Sequence, residues 1–366
     1  MNLTTTEPAQ TAIDKAKRSI ASLHQLSDWS MNGAALIQIS IQDKVVHVGA
    51  STFQDNTQRL PASNFVECHG DTLPTVPAVL TGACEHWGAF SLPGRSWSVE
   101  NLAARTSARL SLDGGPSFAR MSICRGKVTM QEYQAYCGDN ADDDVAPLYI
   151  FDPDILTGSF VNGAHVQDDY AVPGCFSSDV MACLTGSRFR PLPPAWLLVG
   201  VTRSGTPIHD HPLTVAWNAL LVGCKLWCCL PPDVDQSLLL LNLDDDDDEE
   251  FDKSAIDWFQ QIGDLPKEAN IIVQRPGEIV FLPTGWFHVV LNVETSTAIS
   301  VSLTLRRDLL RVWPLLVAED VEFARGWLQG LEKSMENGDD TGVSLEDMST
   351  MVALLVEKEA EGGAGE

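Results

Sequence analysis

No two of the nine cysteines are spaced as CxxC, and their count is odd. A zinc ribbon and a disulfide scaffold are therefore poor organising principles for this chain. Cys224, Cys228 and Cys229 lie in apolar runs and read as reduced core residues. The chain also lacks an apolar run long enough to cross a bilayer. Its start, Met1-Asn2-Leu3-Thr4-Thr5-Thr6-Glu7, lacks the basic-then-apolar pattern of a secretory signal. A cytoplasmic or nuclear location, not a secreted one, is the expectation. Basic residues are scarce, 24 against 50 acidic ones, for a net charge of −26. Such a surface repels phosphates and suits Lys/Arg-rich protein partners, so direct nucleic-acid binding is not expected. Residues 244–250 are acidic at every position, either as a solvated loop insertion or as a collar for basic partners.

What is present is ordinary globular sequence without internal repeats: 44% hydrophobic and 20% charged over 366 residues. That length can bury one large or two modest cores. Residues 1–63 form a weakly marked N-terminal extension, with a helix expected over residues 12–26 and a strand over 35–41. The body spans residues 64–303. Within it, 76–82 and 147–152 read as strands, Ser98 as a helix cap and 130–136 as a short helix. From Trp196 to Ser302, short apolar strands alternate with Pro and Gly turns, the texture of an antiparallel sandwich or barrel. Expected strands are 196–200, 216–221, 225–230 and 298–303, plus a pair, 281–282 and 286–292, across Pro283-Thr284-Gly285. Residues 304–358 turn helical, with one helix over 308–331 and another over 345–357 behind a Ser344 cap. Residues 359–366 are Gly/Glu-rich and expected to be a disordered tail.

Two stretches carry chemistry. One is Gly205-Thr206-Pro207-Ile208-His209-Asp210-His211-Pro212, and the other runs from Pro276 to His288 and ends in Trp286-Phe287-His288. Residues two apart on a strand share a face, so His209 and His211 can point inward together while Asp210 points out. His288 on a second strand can complete a three-imidazole set, a pattern able to hold a catalytic Fe(II) opposite open positions. A His-x-His pair alone is weak, because such pairs also occur by chance on surfaces. Residues alone leave metal binding and a structural role both open.

With these motifs in place, the chain resembles the JmjC-domain Fe(II)/2-oxoglutarate oxygenases, especially the branch of the Jumonji lysyl hydroxylase and arginine demethylase. The matching pieces are 147–152 (PLYIFD), 205–209 (GTPIH), 216–220 (AWNAL), 223–227 (GCKLW) and 276–288, in the family's order and near its spacings. The resemblance covers roughly Phe65 to Leu303. It implies a mostly β fold with flanking helices, built on a double-stranded β-helix of cupin, jelly-roll type, with a C-terminal helical segment. It further implies His209 and His288 as metal ligands, and Lys225 as the ammonium that pairs with the distal carboxylate of 2-oxoglutarate. A buried ammonium needs such a partner; the bland alternative for Lys225 is a surface lysine. Thr206, Asn218, Tyr149 and Ser300 match polar residues around the cosubstrate. Trp217 and Trp286 read as core and pocket wall.

The chain departs from the family at one ligand. Where the family has His-x-Asp-Pro, this chain has His209-Asp210-His211-Pro212, and it is one residue shorter before Trp217. Counting back from Trp217 places Asp210 at the family carboxylate; counting forward from Gly205-Thr206 places His211 there. We favour His211, because Pro212 follows it as the family's Pro follows Asp, and because Asp210 needs a bulge to face the same way. A second departure is Ser302, where close relatives have Asn. The expected function is hydroxylation, with demethylation as a further outcome, of Lys or Arg side chains in a basic protein, using Fe(II) and 2-oxoglutarate. The rival expectation is a catalytically impaired JmjC-shaped module that binds metal or a partner, because His211 supplies no negative charge. A three-His dioxygenase without 2-oxoglutarate fits less well, given Lys225, Thr206 and Asn218. A homodimer through the C-terminal helices is a further expectation.

Overall fold

Between Ala195 and Leu303 the chain crosses repeatedly between two facing sheets. A computed structural model describes residues 13, 36–67, 71–113, 126–139, 141–144, 147–190, 195–235, 237–240 and 254–363. Its central strands are β1 (Ala195–Gly200), β2 (Gly205–His209), β3 (Val215–Val222), β4 (Lys225–Leu230), β5 (Asn270–Gln274), β6 (Ile279–Leu282), β7 (Phe287–Asn292) and β8 (Ser296–Leu303). One sheet has the order β6-β3-β8-β1 and the other β2-β7-β4-β5. Apart from the β4 to β5 step, each connection changes sheet. That winding is the double-stranded β-helix of the cupin-type jelly roll. The first sheet is widened by strands Arg59–Pro61 and Ala78–Thr81 beyond β6, and by Tyr149–Asp152, Arg109–Asp113 and Lys127–Thr129 beyond β1.

β3 (VAWNALLV) and β4 (KLWCCL) are buried along almost their whole length because both faces are covered. Strand alternation sorts their side chains. Outward, Trp217 stacks on Phe176 at 5.6 Å in a large core under the helices before residue 185. Leu226, Cys228 and Leu230 face out from the second sheet onto Val46, Val48 and Phe53, and onto the helix Ala255–Gln261. Inward go Ala216, Asn218, Lys225 and Trp227, so the polar residues of these strands enter the barrel. Burying one large aliphatic or aromatic side chain stabilises by about 1.5–3 kcal/mol, and the two outer faces supply most such residues.

Several expectations are revised. The pair proposed across Pro283-Thr284-Gly285 is not a hairpin: β6 bonds to β3, and β7 to β2 and β4. Gly285, at φ +77°, turns the chain from one sheet to the other. The long helix expected over 308–331 is two, α1 (Leu309–Glu319) and α2 (Val321–Glu336). They part at Asp320, whose carboxylate accepts from the Phe323 N–H at 2.9 Å and caps the second. Helix α3 (Leu345–Gly363) starts behind Ser344, whose hydroxyl accepts from the Asp347 N–H at 3.0 Å. It runs into the segment expected to be a disordered tail, held there by the Arg325–Glu359 ion pair at 2.6 Å. The N-terminal strand is Ile39–Gln42, first of a three-strand meander with Val45–Val48 and Ser51–Gln54. The expected helix over 12–26, save Ile13, and the acidic run 244–250 lie outside the described residues.

Candidate metal centre

His209 closes β2 and stands directly opposite His288 on β7, next to a register shift between Thr206 and His209. His211 follows in the turn after the strand. A donor atom from each of the three imidazoles lies within 4.8 Å of the other two. Ring centroids are 4.1 Å apart for His209 and His288, 5.2 Å for His209 and His211, and 5.3 Å for His211 and His288. Nδ1 of His209 faces the Pro207 carbonyl at 2.9 Å, and Nδ1 of His288 faces the Trp286 carbonyl at 3.1 Å. A carbonyl only accepts, so each Nδ1 carries the proton and each Nε2 keeps the lone pair a metal needs. Burial drives all three rings toward the neutral form. His209 is pushed down to about 4, and His211 to about 3, where His209 adds to the effect. His288 is held well below the usual histidine range, chiefly by burial and then by the two other rings.

The imidazoles open onto a cavity of about 530 Å³, the size of a small-molecule site. The cosubstrate candidates singled out from sequence line it, Lys225, Thr206, Asn218, Tyr149 and Ser300, as does Ser302. Trp286, read with Trp217 as core and pocket wall, is not among the lining residues and packs in a core cluster with Val79 and Leu282. Lys225 is 0% exposed. Its Nζ donates to Asn292 Oδ1 at 2.6 Å and to Tyr149 Oη at 3.2 Å. Among the described residues no carboxylate forms an ion pair with it. Burial pushes the ammonium down to about 7. Asn292 is oriented in turn, because its Nδ2 donates to Ser204 Oγ at 2.8 Å. Gly200 makes room for this socket: a β-carbon there would collide with Asn292, Ser204 and Tyr149. Asn218 Oδ1, buried on the cavity wall, has no hydrogen-bond partner among the described residues.

These features decide what the cavity accommodates. Three neutral imidazoles suit a divalent iron-group ion. An uncompensated buried ammonium and an orphaned amide oxygen suit an anionic, hydrogen-bonding small molecule beside it. The donor set and the anchor therefore fit Fe(II) and a 2-oxoacid together.

The structure places Asp210 differently from the alternation argument. Asp210 also lines the cavity, half-buried, although its carboxylate is not among the clustered donors. The strand ends at His209, so period-two alternation no longer governs the next two residues. Sequence reasoning also missed Asn292 and Trp227. Both were within reach of the alternation, since Asn292 lies four residues after His288 and Trp227 two after Lys225. Trp227 stacks over His288 at 6.0 Å, and its Nε1 donates to Gln274 Oε1 at 2.9 Å. The wall contributed by Phe151, Trp196 and Phe287 was missed as well.

A family model described as "JmjC domain, hydroxylase" matches residues 196–303. The chain is 31% identical over 296 residues to the bifunctional arginine demethylase and lysyl-hydroxylase psr-1 of Caenorhabditis elegans, covering 76% of this chain and 69% of that protein. It is 30% identical over 251 residues to the arginine-specific demethylase JMJ22 of Arabidopsis thaliana, covering 66% of this chain and 45% of that protein. It is 23% identical over 346 residues to the 2-oxoglutarate and iron-dependent oxygenase JMJD4 of Mus musculus, covering 84% and 75%.

Proposed function

The chain belongs to the JmjC-domain hydroxylase family, and from that premise we propose that it hydroxylates Lys or Arg side chains of a protein substrate, with demethylation of methylated side chains as a second outcome of the same oxidation. It is an enzyme of the 2-oxoglutarate- and iron-dependent oxygenase class. The observation that carries the reading is the pairing, in one cavity, of three converging imidazoles with a buried ammonium that lacks an acidic partner. His209, His211 and His288 would hold Fe(II) through Nε2. When bound, the iron couples the oxidative decarboxylation of 2-oxoglutarate by O2, to succinate and CO2, to insertion of the second oxygen atom into a substrate C–H bond.

The remaining work falls to the chain's own groups. Lys225 would take the distal carboxylate, its Nζ aimed by Tyr149 Oη and Asn292 Oδ1. The Asn218 amide and the Thr206 and Ser300 hydroxyls would meet the rest of the cosubstrate from the cavity wall. Apolar Leu198, Ala216, Leu282 and Val290 keep that wall dry, which strengthens each charge-assisted contact. Proton positions are fixed as well, since the two Nδ1–H groups are tied to backbone carbonyls.

The substrate belongs to a basic protein, a reading supported by the net charge of −26, which also disfavours direct nucleic-acid contact. A homodimer through the C-terminal helices is part of the same proposal, supported by exposed Leu310, Leu315, Val352 and Val356. So is a cytoplasmic or nuclear setting. The test is succinate release by purified protein with Fe(II), 2-oxoglutarate and Lys- or Arg-containing peptides. Peptide-stimulated turnover is expected. Intact metal and cosubstrate binding without such turnover would return the chain to the rival reading of an impaired binding module.

A further inference from the structure

Among the described lining residues other than the imidazoles, one is a potential cation and one a carboxylic acid: fully buried Lys225, whose ammonium an anionic cosubstrate favours, and half-buried Asp210. The family pattern puts a carboxylate on the ion; here the ligands are neutral imidazoles and the carboxylate stands one residue earlier, on the wall. The charge balance shows what that shift does. With cosubstrate bound, a divalent ion and a dianionic 2-oxoacid offset one another, and the Lys225 ammonium is left over. A cavity that retained this charge would repel a cationic side chain, and repulsion is strong where water is excluded. Asp210 supplies the single negative charge that cancels it. Because Asp210 lies outside the donor cluster, its oxygens are not committed to the ion.

The rest of the half-buried wall suits the same guest. Phe151 and Trp196 pack with ring centroids 4.5 Å apart, and Phe287 lines the cavity from β7. Aromatic faces accept ammonium and guanidinium groups and the alkyl stems that carry them. We infer that Asp210 is the specificity-determining residue of this site, accepting the ammonium or guanidinium of the substrate side chain while Phe151, Trp196 and Phe287 flank its stem. The inference rests on the reading of the site as a Lys/Arg oxygenase and adds the group that makes the choice.

The experiment measures binding, not turnover. Full-length protein loaded with Mn(II) and a non-reactive 2-oxoglutarate analogue is titrated with four otherwise identical peptides. They carry Lys, norleucine, Arg or citrulline at one position. The native protein should favour Lys over norleucine and Arg over citrulline by about ten-fold or more, the range of a hydrogen bond to a charged group. Asp210→Asn should erase both preferences while the norleucine and citrulline affinities stay put, which also reports an intact pocket. Asp210→Glu should keep the preferences. A preference that persists in Asp210→Asn, or is lost in Asp210→Glu, overturns the assignment of Asp210 and leaves the oxygenase reading standing. If the native protein binds none of the four peptides, the Lys/Arg reading fails and this inference falls with it.

Discussion

The barrel interior and the C-terminal helical unit both bury most of their inward side chains, yet they use burial in opposite ways. Helices α1 to α3 enclose Trp313, Trp327, Leu316, Leu331 and Met351, and both indole N–H groups there are satisfied. Trp313 Nε1 donates to the Met351 carbonyl at 3.1 Å, and Trp327 Nε1 to the Val180 carbonyl at 2.9 Å. The barrel instead buries Lys225, Asn218, Asn292 and His288, and among the described residues leaves an ammonium without a counter-charge and an amide oxygen without a donor. One region is complete without a ligand. The other turns buried polar groups toward its cavity, and these suit a bound ion and anion.

The largest effect that would break this contrast comes from the helical side. Trp313→Ala should cost about 3–5 kcal/mol of stability by leaving a cavity, read by denaturant unfolding. Metal binding by the still-folded protein should be unchanged, since no helical-unit residue lines the site. Loss of metal binding in the folded variant would show that the two regions are coupled.

Lys225→Met reverses the pattern. Removing a buried charge and replacing it with apolar volume should leave unfolding stability level or raise it by about 1 kcal/mol or more. The affinity for a 2-oxoglutarate analogue should fall by about 100-fold, or about 2.7 kcal/mol. Calorimetric titration beside a thermal melt reads both. A matched fall in stability and affinity would make Lys225 a structural residue.

The smallest effect is a pH dependence that sharpens the same point. Lys225 is pushed down to about 7 by burial, against 10.5 for the free side chain. The folded chain therefore binds fewer protons than the unfolded one between those values. The penalty of burying the charge is full below about pH 7 and is relieved as pH rises toward 10.5. Anion binding favours the charged form, so analogue affinity should hold below about pH 7 and weaken by up to about ten-fold per unit above it. Titrations from pH 6 to 9 should show that slope in the native protein and none in Lys225→Met.

Much of this was legible in the chain before any coordinates. Short-range spacing was enough to read β3, β4 and β8 as strands, because it is local, and the resemblance then singled out Asn218, Lys225 and Ser300 on them, which line one cavity. Caps at Ser98 and Ser344 were legible for the same reason, since a hydroxyl meets an N–H three residues on. The failures share a cause. The supposed hairpin across Pro283-Thr284-Gly285 failed because a turn residue specifies a reversal but not which sheet receives the next strand. Asp210 was placed outside because alternation was extended past the end of its strand. The break at Asp320 was hidden by an apolar period that continues on both sides of it.

By itself the sequence determined the family, the jelly-roll class and the residues able to act as ligands and anchor. The strands and turns follow from residue type and short-range spacing, while the family, its jelly-roll class and the ligand and anchor roles follow from the resemblance of the chain's motifs. Only the tertiary structure decided that Lys225 has Asn292 and Tyr149 but, among the described residues, no acid beside it, that Gly200 leaves space for them, and that Asp210 shares the cavity without joining the imidazoles. Those are relations between strands distant in sequence, fixed when two sheets close on each other, and burial then sets the charge preferences of the groups brought together.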